Sequence, residues 1–355
     1  MDVIAQVQYD KIREIGGIAG KNSRVFLAFD HHLHTELVVK EIEKARISDP
    51  ARYFDEAPAF HASAHPRVVT VHWAADRTDH VCIAMPLMMG GSLADAIETT
   101  PLAPSRLIQV AQDLCEGVAQ VHLAKFVHMD IKPTNVLFDA NGRAAITDFG
   151  QALPLDTLGT ADARGHRIYQ SFTPPEIARS GAVATAASDV YQIGLTLYRA
   201  LNGERNFKAQ WDAIKGNPPP FARNAIASGD FPDRAFLPFV PLGIRRAILC
   251  ALEVDPARRQ VGARALAEEL AAVEIKHDWN TELDQPDSAL WRLRQDGRAD
   301  ILVLRQGMLP NVRVEIWTSG STGRRRKTPE AWSKGLRTPR QLNSALSRAF
   351  RAAVA

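Results

Sequence analysis

The chain has 355 residues, more than one average domain, and its 46% hydrophobic content is enough to bury a sizeable core. No apolar run approaches the roughly 18 residues of a membrane helix, and the opening Met1-Asp2-Val3-Ile4 lacks the charged-then-apolar pattern of a secretory signal. The net charge of +3 hides an asymmetry: residues 291–355 hold fourteen Lys and Arg against four Asp and Glu, which leaves 1–290 at −7.

In chain order, 25–29 and 36–40 are short β-type runs joined by a His-rich turn at 31–34. A helical stretch is expected near 50–63, then strands over 68–73 and 80–85. Gly90-Gly91-Ser92 ends the strand pattern and caps a short helix from Leu93. From Ser105 to Phe126 the residues Leu107, Val110, Ala111, Leu114, Val118 and Val121 recur at helical spacing. Residues 190–201 and 244–252 also read as helices, and 203–240, with Pro218-Pro219-Pro220, as loop-rich. Cys82, Cys115 and Cys250 lie in apolar stretches without C-x-x-C spacing, so buried thiols in a reducing cytoplasm are expected. Near the C-terminus, 290–294 and 301–304 read as a hairpin around Asp296-Gly297. Residues 312–317 read as a third strand, and Thr338-Pro339 opens a helix through Leu342, Leu346 and Phe350.

The long helix leads into Val127-His128-Met129-Asp130-Ile131-Lys132-Pro133-Thr134-Asn135, and Asp148-Phe149-Gly150 follows thirteen residues after the asparagine. An acid, a lysine, an asparagine and a second acid at fixed spacing are what phosphoryl transfer from ATP requires. One carboxylate orients the attacking hydroxyl, a cation steadies the moving group, and two oxygen ligands hold Mg2+. The joint pattern closely resembles the catalytic and metal-binding loops of eukaryotic-like (Hanks-type) Ser/Thr protein kinases of the kind found in bacteria. The D-x-K-x-x-N spacing is that of Ser/Thr rather than tyrosine kinases.

That resemblance implies an α+β, bilobal protein-kinase fold over 1–275, with a β-rich N-lobe at about 9–88 and an α-rich C-lobe at about 89–275. A linker at 276–290 and a small basic α+β module at 291–355 follow. The implied cofactors are ATP and Mg2+, with Mn2+ as an alternative metal. Asp130 and Lys132 take the catalytic roles, and Asn135 and Asp148 ligate the metal. Lys40, ending Val38-Val39-Lys40, resembles the lysine that grips the nucleotide phosphates, and Glu56 the helix glutamate that fixes it, although Pro58 is unfriendly to a helix interior. Met85 falls at the gatekeeper, with Pro86 and Met88 at the adenine hinge. Gly20, Ser23 and Val25 match a degenerate glycine-rich loop. His128, Phe149 and Phe60 resemble a packed regulatory stack. Glu176, in Thr173-Pro174-Pro175-Glu176, is implied to pair with Arg259, and Asp189 to anchor the catalytic loop.

Two departures carry consequences. Met129 stands where the family most often has an arginine that binds a phosphate on the activation loop, and methionine cannot do this; activity that does not depend strongly on loop phosphorylation is expected. Counting back from Glu176, Tyr169 stands where a threonine usually touches the catalytic acid, with Ser171 or Thr173 taking that place if the register shifts. Thr157, Thr160, Ser171 and Thr173 are autophosphorylation candidates. The rival reading is a pseudokinase or scaffold whose basic tail, with Arg324-Arg325-Arg326-Lys327 between Trp317 and Trp332, docks an acidic protein or nucleic acid. No membrane association is expected, and the protein substrate is not identified.

Overall fold

The computed structural model describes residues 6–15, 23–46, 65–164, 169–179, 183–215, 221–295, 298–319, 325–327 and 333–354. Five antiparallel strands form the first sheet: β1 (Tyr9–Glu14), β2 (Ser23–Asp30), β3 (Thr35–Glu43), β4 (Trp73–Asp76) and β5 (His80–Pro86), in the order β1-β2-β3-β5-β4. At the β2–β3 turn the buried carboxylate of Asp30 accepts the amide hydrogens of His32 and Leu33 and the indole N–H of Trp73, each at 2.8 Å. Strand alternation divides β3 between two faces. Leu37 and Val39 pack with Cys82 and Ala84 on one, while Ile42 packs with Val81 and Ile83 on the other, the face that also carries Lys40. The strand expected over 68–73 survives only at Trp73. Val68 instead bridges Ile146, and Val69 donates to the Ile146 carbonyl at 2.9 Å, so both belong to the link between lobes. The helix expected near 50–63 lies outside the described residues.

The second lobe opens with α1 (Leu93–Ala96). Ser92 caps it: its hydroxyl accepts from the Asp95 amide at 3.1 Å, and the Asp95 carboxylate accepts from the Ser92 amide at 2.9 Å. The long α2 (Pro104–Leu123) buries the apolar stripe read from the sequence. It leads through β6 (Phe126–Val127) to the hairpin of β7 (Val136–Phe138) and β8 (Ala144–Ile146). Then follow β9 (Leu153–Pro154), β10 (Ala161–Asp162), α3 (Pro175–Arg179) and β11 (Val183–Ala184). The helix α4 (Ala186–Asn202) is buried along almost its whole length. Gly194 allows α7 (Leu242–Ala251) to cross it closely, since a Cβ there would lie 2.7 Å from the Cβ of Ala251. The segment 203–240 is more ordered than the sequence suggests, because it contains α5 (Glu204–Lys215) and α6 (Phe221–Ser228). The reason is local: Glu204 pairs with Arg199, and Phe207 and Trp211 stack on Phe231 at 5.4 Å each, enough to hold an otherwise polar helix. The helix α8 (Ala263–Ala271) closes the lobe against one large apolar core.

The C-terminal strands β12 (Trp279–Asp284), β13 (Ser288–Leu293), β14 (Asp300–Gln306), β15 (Val312–Ser319) and β16 (Arg325–Lys327) form an antiparallel meander. A further strand, β17 (Ser333–Leu336), also pairs with β15. The helix α9 (Pro339–Val354) covers the sheet. The stretch 276–290, expected as a linker, therefore supplies β12 and opens β13. Trp279 and Thr281 point inward on alternate positions, a pattern the neighbouring acids obscure in the sequence. This sheet is seated on the second lobe. The Phe350 ring lies 4.9 Å from Trp279 and 5.0 Å from Phe239, and Arg205 pairs with Asp284. Asp278 accepts the Ser105 amide at 3.0 Å at the first turn of α2, where Ala103 gives no side-chain cap. Among the described residues no helix is long and apolar enough to cross a membrane.

Candidate active site

The loop between β6 and β7 carries a dense set of polar contacts. Buried Asp189, reaching up from α4, accepts the amide hydrogens of His128 at 2.8 Å and Met129 at 2.9 Å, and the His122 ring N–H at 2.8 Å. Burial pushes the Asp189 carboxyl up, but these donors outweigh it and hold it below the usual carboxylate range. They also over-determine the backbone of Met129, whose φ of 60° is a left-handed conformation that a non-glycine residue holds only under such restraint. The result aims Asp130 into the cleft.

The Asp130 carboxylate is gripped from two sides. Lys132 Nζ donates to its oxygens at 2.8 and 2.7 Å, and Asn135 Nδ2 donates to Oδ2 at 2.9 Å and to the Asp130 carbonyl at 2.8 Å. Burial raises the Asp130 carboxyl above its ordinary range against the opposing pull of Lys132. His128 is fully buried, and burial holds it neutral. Its Nδ1 accepts the Asp130 amide hydrogen at 3.3 Å, so its Nε2–H faces the Thr147 carbonyl at 3.2 Å. The His128 and Phe149 rings stack at 4.8 Å, two members of the expected stack.

Across the cleft, Lys40 Nζ donates to Asp148 Oδ1 at 2.7 Å. Burial raises the Asp148 carboxyl, but Lys40, with Lys132 behind it, reverses the shift and holds it at about 2. Asp148 is therefore ionised, and among the described residues Asn135 Oδ1 meets only the Thr134 hydroxyl, at 3.3 Å. Two hard oxygen donors of this kind fit a small divalent cation that draws its remaining ligands from substrate phosphates and water. Among the described residues no group of three or more His, Cys, Asp or Glu forms a dedicated metal cage.

The roof of the cleft is the first sheet. Val25 is the register partner of Lys40, and Ser23 opens the same strand opposite Ile42. Met85 lies opposite Val38, with the Thr147 hydroxyl 4.0 Å from its sulfur. Pro86 and Met88 are partly buried, and the Met88 carbonyl accepts from Gly91 at 3.3 Å. Gly90 ties the hinge to β7 by donating to the Phe138 carbonyl at 2.9 Å; a Cβ there would lie 2.6 Å from the Cβ of Phe138. Glu56, Gly20 and Phe60 lie outside the described residues.

On the far side, Arg259 meets Glu176 through two nitrogens at 3.0 and 2.7 Å and also donates to the Ala187 and Glu253 carbonyls. Its side chain has no solvent exposure, so removing one partner costs about 3–5 kcal/mol. Sequence reasoning missed Gln192. This fully buried amide accepts the Ile131 amide hydrogen at 3.0 Å and donates to the Met129 carbonyl at 3.0 Å and the Phe172 carbonyl at 3.1 Å. It thus ties the loop that carries Asp130 to the turn at Phe172. Its one sequence signal is a long polar side chain between the apolar Val190, Tyr191 and Ile193 of α4. Met129 fills a small apolar cluster with Val127, Leu153, Ala161, Ile177 and Ala184, which joins the same two segments.

Residues 9–220 match the protein kinase domain. The chain is 30% identical over 283 residues to the serine/threonine-protein kinase PknB of Mycobacterium tuberculosis, covering 74% of this chain and 42% of that protein. It is 28% identical over 256 residues to the serine/threonine-protein kinase PrkC of Bacillus subtilis, covering 71% of this chain and 38% of that one. Against the serine/threonine-protein kinase pkn2 of Myxococcus xanthus it is 28% identical over 278 residues, covering 74% of this chain and 32% of that one. The chain thus spans two fifths or less of the length of the latter two relatives and little more of PknB. With the two lobes, the gripped aspartate and the lysine–aspartate pair across the cleft, this match assigns it: the chain belongs to the protein kinase domain family.

Proposed function

We propose that this chain is an active protein Ser/Thr kinase that transfers the γ-phosphoryl group of ATP to a protein hydroxyl. The observation that carries the reading is the Asp130 carboxylate held by Lys132 and Asn135, facing an ionised Asp148 paired with Lys40. In this reading Asp130 orients the acceptor hydroxyl and takes its proton, for which its raised carboxyl is suited. Lys132, already beside Asp130, meets the negative charge of the phosphoryl group in flight. Lys40 moves from Asp148 to the nucleotide phosphates, and Glu56 fixes it there. Asn135 and Asp148 hold the metal, which we take to be Mg2+, with Mn2+ as a substitute; when bound it neutralises phosphate charge and aligns the nucleotide. Gly20, Ser23 and Val25 cover the phosphates, while Met85, Pro86 and Met88 border the adenine. His128, Phe149 and Phe60 keep the two lobes in register.

The buried Met129 supports activity without a phosphorylated loop, because an apolar cluster and Gln192 make the connection that an arginine–phosphate pair makes elsewhere. We propose a division into a catalytic domain over 1–275 and a basic accessory module after it. The module's partner is an acidic protein segment. Lys334, Arg337, Arg340, Arg348 and Arg351 are all exposed, and residues 331–355 contain no acid. We place the protein in the cytoplasm, where ATP is available and its three unpaired cysteines stay reduced.

The test is label transfer from γ-labelled ATP with Mg2+ or Mn2+ to the chain and to a generic basic acceptor protein. Transfer to serine or threonine is expected. Nucleotide binding without any transfer in the presence of either metal would favour the pseudokinase.

A further inference from the structure

The Tyr169 side chain is exposed, with 55% of its surface open to solvent. Its backbone is fixed: its carbonyl accepts from the Phe172 amide at 2.8 Å and the Thr173 hydroxyl at 3.5 Å. Phe172 is itself fully buried, tied through its carbonyl to Gln192 and packed against Phe207 at 5.7 Å. The Tyr169 ring leans on Phe172 at 6.2 Å and covers Lys132, whose Nζ lies 5.3 Å from the ring centroid. That ammonium donates two of its three hydrogens to Asp130. An aromatic face attracts a cation without offering an oxygen that would compete with phosphate for its hydrogens.

We propose that Tyr169 is a positioning residue whose ring holds the Lys132 ammonium over Asp130 and so keeps it where the phosphoryl group must pass. The proposal rests on the kinase reading above. A lysine stem has four rotatable bonds, and only its tip is needed at the reacting centre. Tyr169 supplies this contact with its ring, so Ser171, buried on the same turn, is not required for it. The interaction acts through Lys132 alone and has no part in nucleotide binding.

The experiment measures kcat and both KM values in the full chain with γ-labelled ATP, Mg2+ and a generic basic acceptor protein, for wild type, Tyr169→Phe and Tyr169→Leu. It adds Lys132→Met with and without Tyr169→Leu. Tyr169→Phe should keep kcat within about twofold. Tyr169→Leu should lower it by about 3–30-fold, the range of a cation–π contact, while KM for ATP stays constant. In the Lys132→Met background the second change should alter kcat by less than about twofold, since the contact it removes is already gone. Binding of a fluorescent ATP analogue at wild-type affinity shows that Tyr169→Leu is folded. Equal kcat in Tyr169→Leu and Tyr169→Phe, or an undiminished loss from Tyr169→Leu in the Lys132→Met background, would overturn the proposal. A wild-type chain that transfers no label would instead remove the kinase reading beneath it.

Discussion

Gln192→Leu removes one buried amide while nearly preserving volume, so it isolates hydrogen bonding from packing. The change strands the Ile131 amide hydrogen and the carbonyls of Met129 and Phe172, each of which uses Gln192 as a partner. A buried backbone group left without a partner costs about 1–3 kcal/mol, and partial relief by a local shift brings three such groups to about 3–5 kcal/mol. For a domain of this size that corresponds to a fall in Tm of about 6–12 °C. Two of the three groups flank Asp130, so the shift that relieves them also displaces the Asp130 carboxylate, and on the proposed role of Asp130 kcat should fall by at least about tenfold. Thermal melting by circular dichroism and steady-state transfer assays read the two effects independently. A variant that melts within about 2 °C of wild type and keeps kcat within about twofold would show that these three hydrogen bonds do not hold the Asp130 loop.

Three further outcomes follow from the geometry. Asp278→Ala removes the only side chain seen to accept the Ser105 amide at the start of α2, and should cost about 1 kcal/mol in urea denaturation, with Asp278→Ser losing less. Truncation after residue 276 should cost more than that substitution, since it also uncovers Phe239. Asp130 must be ionised to accept a proton, and its raised carboxyl places the acid limb of kcat/KM above the ordinary carboxylate range. Lys132 pulls that carboxyl down, so Lys132→Met should move the limb to higher pH; a limb that stays in place or moves to lower pH would contradict the assignment.

What the sequence made legible is what is local. The catalytic and metal loops carry their chemistry within nine and three consecutive residues, so their composition alone exposes them. The long helix α2 and the hairpin β2–β3 announce themselves by period. The helices α5 and α6 did not, because the first presents two aromatics to the core on a charged background and the second follows a proline run. Strand β12 was hidden for a related reason: Trp279 and Thr281 alternate with Asn280 and Glu282 beside acidic turns that resemble a linker. The least legible features are the non-local ones. Nothing in Gln192 itself reveals three partners on two other segments, and Met129 reads as the loss of an arginine rather than the gain of an apolar contact. Asp278 lies 173 positions from the helix start it caps.

Asp130 as proton acceptor is the role on which the proposed kinase activity depends. The most direct measurement compares the full chain with Asp130→Asn in label transfer from γ-labelled ATP, with nucleotide affinity followed in parallel. Loss of a positioned base predicts a fall in kcat of about 10²–10⁴-fold with nucleotide affinity unchanged. Transfer that survives the substitution would contradict the assignment of Asp130, and a wild-type chain that binds ATP without transferring phosphate would contradict the kinase itself.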